Sequence, residues 1–308
     1  MSEGFDAVDL KIAEQLVKGE PKTIEELLDL GIQVLNDSSA IDAGHDNDAT
    51  ARELLDAALD LSEANQREQL RLPRRVRERY LSFIARRAAG EPIGLILGYV
   101  EFCGLRLAVQ RGVFLPRPSS VLTVDRTLHH LEGRIAPFVV DLCTGVGPIA
   151  LAVARSRSDA SVWGIDISQR ALRVARRNAK DLDIGNARFR CSDLYRRLPV
   201  QLLGLADVIV GNIPFVQPAE VPELPLEVSE YEPLFSLTDL SRDGMGLLQR
   251  VAMEGSEWLK PGGWLLVQLS EDTAPNFRNL CIAAGLASID IVSGPGSWDV
   301  IVEAQRPG

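Results

Sequence analysis

PFVVDLCTGVGPIALAVA, residues 137–154, reads as a buried strand, a glycine loop and an apolar helix in direct succession. Gly145 and Gly147 let the backbone turn tightly and approach a ligand with no Cβ in the way. Further along, SVWGIDIS, ARFRCSDL, DVIVGN and GGWLLVQLS read as strands, while QRALRVARRNAKDL and GMGLLQRVAMEGSEWL read as helices. Strands alternating with helices predict a parallel, doubly wound α/β sheet, and ligands in such sheets gather beyond the carboxyl ends of the strands. Every candidate site residue of this region lies at such an end.

Before this region the texture differs. Residues 1–90 read as a helical domain: TIEELLDLGIQVL (23–35) spaces Ile24, Leu27, Leu28, Ile32 and Leu35 along one helix face, with Thr23 as a cap. ATARELLDAALDL (49–61) repeats the pattern, after a polar, acidic loop at 38–49. Pro73 opens a third helix, with Val76, Tyr80, Phe83 and Ile84 on one face and arginines on the others. Between Arg67 and Arg87 there are eight arginines and two glutamates, read as a solvated helix face or a docking surface for an acidic protein partner. Glycine punctuation in 91–118 predicts a β-hairpin linker, and 119–308 forms the α/β domain.

The chain's 308 residues carry 33 Lys+Arg against 43 Asp+Glu, a net charge of −10, which argues against broad nucleic-acid or anionic-membrane binding. Cys103, Cys143, Cys191 and Cys281 form no CxxC pair, so neither a zinc site nor a disulfide framework is expected. MSEGFDAVDLK has no basic, apolar leader pattern and no 18-residue apolar run occurs, so a cytoplasmic protein without a membrane span is expected. His45, His129 and His130 fall outside every strand-end cluster.

Asp166 ends its strand 19 residues past Gly147, placed to accept from a ribose diol. The glycines with Asp166 also satisfy a dinucleotide pattern, and charge separates the two ligands. A dinucleotide loop receives an anionic pyrophosphate, yet Asp141 stands four residues before the first glycine. S-adenosylmethionine carries cationic sulfonium and ammonium groups, for which a carboxylate is an asset. Asp193, after the third strand, could accept from an adenine amino group. Thr144, Ile167 and Leu194, neighbours of these groups, complete the expected cofactor set with Asp141, Gly145, Gly147, Asp166, Asp193 and Asn212.

DLCTGVGPIALAVA, IDIS, SDLY, the strand-end Asn-x-Pro-Phe of DVIVGNIPFV (207–216), GEPIGLILGYVEF, LPRP and YEP…DGMGLLQRV together resemble the HemK/PrmC family of S-adenosylmethionine-dependent methyltransferases. That resemblance implies a Rossmann-like class I methyltransferase sheet behind an N-terminal helical domain, and methylation of a glutamine side-chain amide in peptide release factors. It also implies roles past the fourth strand. A planar amide becomes a nucleophile when its two N–H bonds are held and its lone pair is turned toward the methyl carbon. Carried over, Asn212 and the Ile213 carbonyl are the acceptors, with Pro214 and Phe215 as the adjoining catalytic wall. Phe114 and Arg117 of FLPRP, with Ile213 and Glu230, are the expected substrate residues.

The sequence departs from the family's Asn-Pro-Pro-Tyr at Ile213 and Phe215. Cys143 stands for a glycine, Ser119-Ser120 for an acidic-Thr tail and Gln268 for a glutamate, and GPGSWDVIVEAQRPG lacks the usual final turn. Most of these departures fall around the expected acceptor pocket, which admits a small amino-acid-like acceptor beside a protein glutamine. Two further readings stay open: a biosynthetic enzyme performing elimination, cyclisation or hydrolysis on this fold, and a non-catalytic subunit.

Overall fold

The structure, a computed structural model, describes residues 21–42, 44–59, 72–294 and 299–308. These fall into two compact units: the chain up to Gly98 together with Leu224–Tyr231, and Tyr99–Glu223 together with Glu232–Gly308.

The first unit packs helices α1 (Ile24–Asn36), α2 (Asn47–Leu59), α3 (Arg74–Ala88) and the short α4 (Ile93–Leu97). Thr23 caps α1, its hydroxyl accepting the Glu26 N–H at 3.1 Å. Leu27, Val34 and Leu35 of α1 meet Leu54 and Ala58 of α2 and Val76, Tyr80 and Ile84 of α3 in one apolar core. Arg67 and Arg71 lie outside the described residues. The arginines of α3 do not all face outward: Arg87 is buried and donates to Glu227 at 2.8 Å and to the Glu91 carbonyl at 3.2 Å. A buried guanidinium needs such partners, and this pair, with the Tyr231 hydroxyl donating to the Ala89 carbonyl at 3.3 Å, holds Leu224–Tyr231 against the helices. IGLIL within the expected hairpin segment is the helix α4, closed by Gly98 in the left-handed conformation.

The second unit opens with a hairpin, β1 (Tyr99–Phe102) and β2 (Leu105–Ala108). Helix α5 (Ser120–His130) follows, then β3 (Phe138–Leu142), α6 (Pro148–Ser156), β4 (Ser161–Asp166), α7 (Gln169–Asp181), β5 (Ala187–Cys191) and β6 (Ala206–Asn212). The chain ends with α8 (Gly246–Trp258), β7 (Leu259–Ser270), α9 (Ala274–Ala283), β8 (Ala287–Ser293) and β9 (Asp299–Gln305). The sheet has seven strands in the order β5-β4-β3-β6-β7-β9-β8. It is not wholly parallel, because β9 runs antiparallel to both of its neighbours. Strand order and the helices on both faces agree with the Rossmann-like sheet that the resemblance implies.

Alternate residues of each strand serve two cores. Val140, Ile209, Leu265 and Val267 pack against α8 and α9, while Val139, Val208, Val210 and Leu266 face α5 and α6. The chain steps from β3 outward to β5, then returns to the other side of β3 at β6. The carboxyl ends of β3 and β6 therefore flank the point where strand order reverses, the usual seat of a ligand crevice. Among the described residues no helix is long and apolar enough to cross a membrane.

Candidate active site

The loop after β3 begins with strain. Cys143 adopts φ +55°, a left-handed conformation that disfavours a β-carbon by about 1–2 kcal/mol. A glycine is the natural residue there. Gly145 is also left-handed at φ +56°, and nothing lies within 4 Å of where its Cβ would sit, so its backbone is open to a ligand. At the other strand end, a Cβ on Gly211 would lie 2.7 Å from the Leu142 carbonyl, so β6 needs glycine just before Asn212 to lie this close to β3.

A cavity of about 260 Å³ opens beside these loops. Of the residues singled out in the sequence, Gly145, Asp166, Ile167, Asp193, Leu194, Asn212, Pro214 and Phe114 line it. Asp141, Thr144, Gly147, Arg117, Ile213 and Phe215 are not among its lining residues. Asp141 is instead sealed beneath the loop, its Oδ2 accepting from Thr144 Oγ1 at 2.5 Å and from the Ala150 N–H at 3.1 Å. Its Oδ1 is buried with no partner. Burial pushes its pKa up to about 7, and nearby Asp166 adds to the rise against the two hydrogen bonds.

Asp166 holds the loop with both oxygens, from the Gly145 N–H at 2.8 Å and the Ser168 N–H at 2.7 Å. Burial raises its pKa while these bonds oppose the rise. Asp193 behaves differently: Arg250, at 2.8 Å, holds its pKa below the usual carboxylate range and fixes one oxygen. Arg117 is engaged by other side chains of the same unit. It donates to Glu232 at 2.6 Å and lies 4.6 Å over the Phe114 ring, and Glu232 also accepts the Leu115 N–H at 3.2 Å. Glu230 closes the one-turn helix Leu226–Ser229, in the other unit. Phe215 packs against the core on the α8 face, and the aromatic rings in the cavity are Phe114 and Phe235.

Residues 233–240 were not read from the sequence as part of the site. Pro233, Phe235, Ser236, Thr238, Asp239 and Leu240 all line the cavity. Asp239 binds this segment to α8, accepting from Ser241 and from the Leu247 N–H at 2.5 Å, and Gly246 leaves the room it needs. The available signal was length: residues 213–245 form too long a connection between a strand and a helix to be mere linkage.

Charge decides what suits this cavity. Among its described lining residues are three carboxylates, Asp166, Asp193 and Asp239, and no Lys, Arg or His. A pyrophosphate finds no cationic side chain there and meets three carboxylates. A nucleoside whose diol and amine donate hydrogen bonds and whose tail is cationic finds acceptors and an open glycine backbone, with the buried carboxyl of Asp141 beneath the same loop.

Residues 26–98 match the PrmC N-terminal domain, and residues 121–224 match the methyltransferase small domain. A release factor glutamine methyltransferase of Burkholderia pseudomallei is 37% identical over 237 residues, spanning 75% of this chain and 82% of the relative. The chain belongs to the release factor glutamine methyltransferase family. A second member, from Bordetella pertussis, is 41% identical over 207 residues, spanning 67% of this chain and 74% of the relative. Like other members of this family, the chain is a methyltransferase, and its cofactor is S-adenosylmethionine. These relatives lend no support to a small-molecule acceptor, to elimination, cyclisation or hydrolysis, or to a non-catalytic subunit.

Asp166→Ala removes an expected diol acceptor and frees two main-chain N–H groups of the loop. Weakening of S-adenosylmethionine binding by about 1–3 kcal/mol is expected. Isothermal calorimetry reads it directly, and an unchanged affinity would remove Asp166 from the cofactor set.

Proposed function

We propose that the chain methylates the side-chain amide nitrogen of a glutamine presented by a protein, a release factor by kinship with its relatives. The observation that carries this reading is Asn212: it ends β6, lines the cavity together with Asp166 and Asp193, and its side-chain amide has no hydrogen bond to a described residue. An amide left unengaged at a cavity wall is available to a ligand.

Bound in the cavity, S-adenosylmethionine supplies an electrophilic methyl carbon on a sulfonium. The chain's own part is orientation. Asn212 Oδ1 accepts one N–H of the acceptor amide and the Ile213 carbonyl accepts the other, which turns the nitrogen lone pair out of conjugation. Pro214 and Phe114 border the same space and limit the pose to a flat group. No strong base is needed, since the nitrogen becomes acidic as its new bond forms and the proton can pass to water. Asp141, Thr144, Gly145 and Gly147 shape the loop, and Asp166, Ile167, Asp193 and Leu194 border the nucleoside.

Incubation with methyl-labelled S-adenosylmethionine and a peptide release factor tests the reading. Label on one glutamine, located by fragmentation mass spectrometry, is the expected result. Label on another residue type, or on no residue, would reject it.

A further inference from the structure

Gln268 sits in β7 directly beside Asn212. The two are register partners in parallel strands, so their side chains leave the sheet on the same face. Pairing of β6 with β3 stops at Leu142–Gly211, which leaves Gln268 as the only ladder partner of Asn212 among the described residues. Whatever fixes Gln268 therefore fixes the wall from which Asn212 projects.

Gln268 is only 2% exposed, and both ends of its amide are engaged. Oε1 accepts from Ser120 Oγ at 2.7 Å and from Thr123 Oγ1 at 3.0 Å. Nε2 donates to Ser119 Oγ at 2.9 Å and to Asp299 Oδ2 at 2.8 Å. These partners come from the start of α5 and the start of β9, so one amide joins three elements behind the acceptor side of the cavity. An amide has two donors and an acceptor oxygen, and here all are used.

We infer that Gln268 is a positioning residue for methyl transfer: its hydrogen-bonded amide, neutral beside Asp299, holds the end of β6 so that Asn212 meets the acceptor. The inference rests on the acceptor role proposed for Asn212. Glutamate at this position would replace the Nε2–H that Asp299 accepts with a second carboxylate oxygen, and in a buried setting such a pair favours a proton uptake or a shift of the chain.

The test is an exchange of charge and amide between the two positions. Gln268→Glu is expected to lower kcat about tenfold or more, the consequence of one unsatisfied buried group. Affinity for S-adenosylmethionine should stay within about twofold, because the nucleoside side of the cavity is built by β3, β4 and β5. The double variant Q268E/D299N restores a donor opposite the carboxylate and should recover kcat to within about threefold. A second readout needs no turnover. The side-chain amide NMR signals of Asn212, assigned by their loss in Asn212→Ala, should move in Q268E and return in Q268E/D299N. If Q268E does not fold, Thr123→Val withdraws one donor at constant shape and should lower kcat without weakening cofactor binding. Unmoved Asn212 signals, a wild-type kcat in Q268E, or losses of kcat and cofactor affinity in equal measure would overturn the inference. A wild-type enzyme that methylates no glutamine would reject the proposed acceptor instead, and the Asn212 signals would still decide the role of Gln268.

Discussion

Asn212→Ala is expected to lower kcat by about two to three orders of magnitude, the range for removing one preorganised hydrogen-bonding group that acts in the transition state. Affinity for S-adenosylmethionine should change little, because Asp166 and the loop around Gly145 are built by other strands. Stability should also hold: the Asn212 amide makes no hydrogen bond to a described residue, so its loss leaves no buried partner unsatisfied. The combination is diagnostic. A residue that merely ended a strand would change neither quantity, and one that held the nucleoside would change both. Single-turnover transfer of a labelled methyl group, read beside calorimetry, separates these cases, and a variant with the parent's turnover would remove Asn212 from the chemistry.

The α/β core was legible because its signals are local. Residues 137–154 place a strand, a tight turn and a helix within one short window, and the apolar runs of β4, β6 and β7 are continuous because both of their faces are covered. Helix α5 was not read. It buries Ser120, Thr123 and Thr127, hydroxyl residues that carry no apolar period, and Thr127 turns its hydroxyl back to the Thr123 carbonyl. The strands β8 and β9 were also missed. β8 is a largely exposed edge strand, and β9 lay in a tail read only for its departure from the family pattern.

The site was legible where a side chain sits at a strand tip, and not where long-range pairing decides. Arg117 and Glu232 are 115 residues apart, and only the fold shows that they pair with each other. Ser119, Ser120 and Gln268 look in the sequence like separate departures suited to a changed acceptor. Folded, they form one closed hydrogen-bond network with Asp299, so each accommodates the others. Cys143 is different in kind: its left-handed backbone favours glycine, and nothing in the structure explains the cysteine.

Asp141→Asn should trade cofactor affinity for stability, with a pH dependence that identifies its cause. Asp141 has a folded-state pKa raised from 3.8 to about 7 by burial, so the folded protein binds a proton that the unfolded chain has released. A raised carboxyl pKa makes stability fall as pH climbs from the unfolded value toward the folded one, and stay low above it. The asparagine variant lacks this titration. It should fall somewhat below the wild type near pH 4, because its NH₂ group takes over the unpartnered position, and exceed it above pH 7 by about 1–3 kcal/mol. Chemical denaturation at both pH values measures the difference. Binding should move the other way. The wild type should bind the cationic cofactor more tightly as Asp141 ionises through pH 7, releasing a proton on binding below that pH, whereas the variant's affinity should be weaker and flat. A variant whose stability and affinity both keep the wild-type pH profile would show that another group titrates, and Asp141 would then be only a brace for Thr144 and the α6 N-terminus.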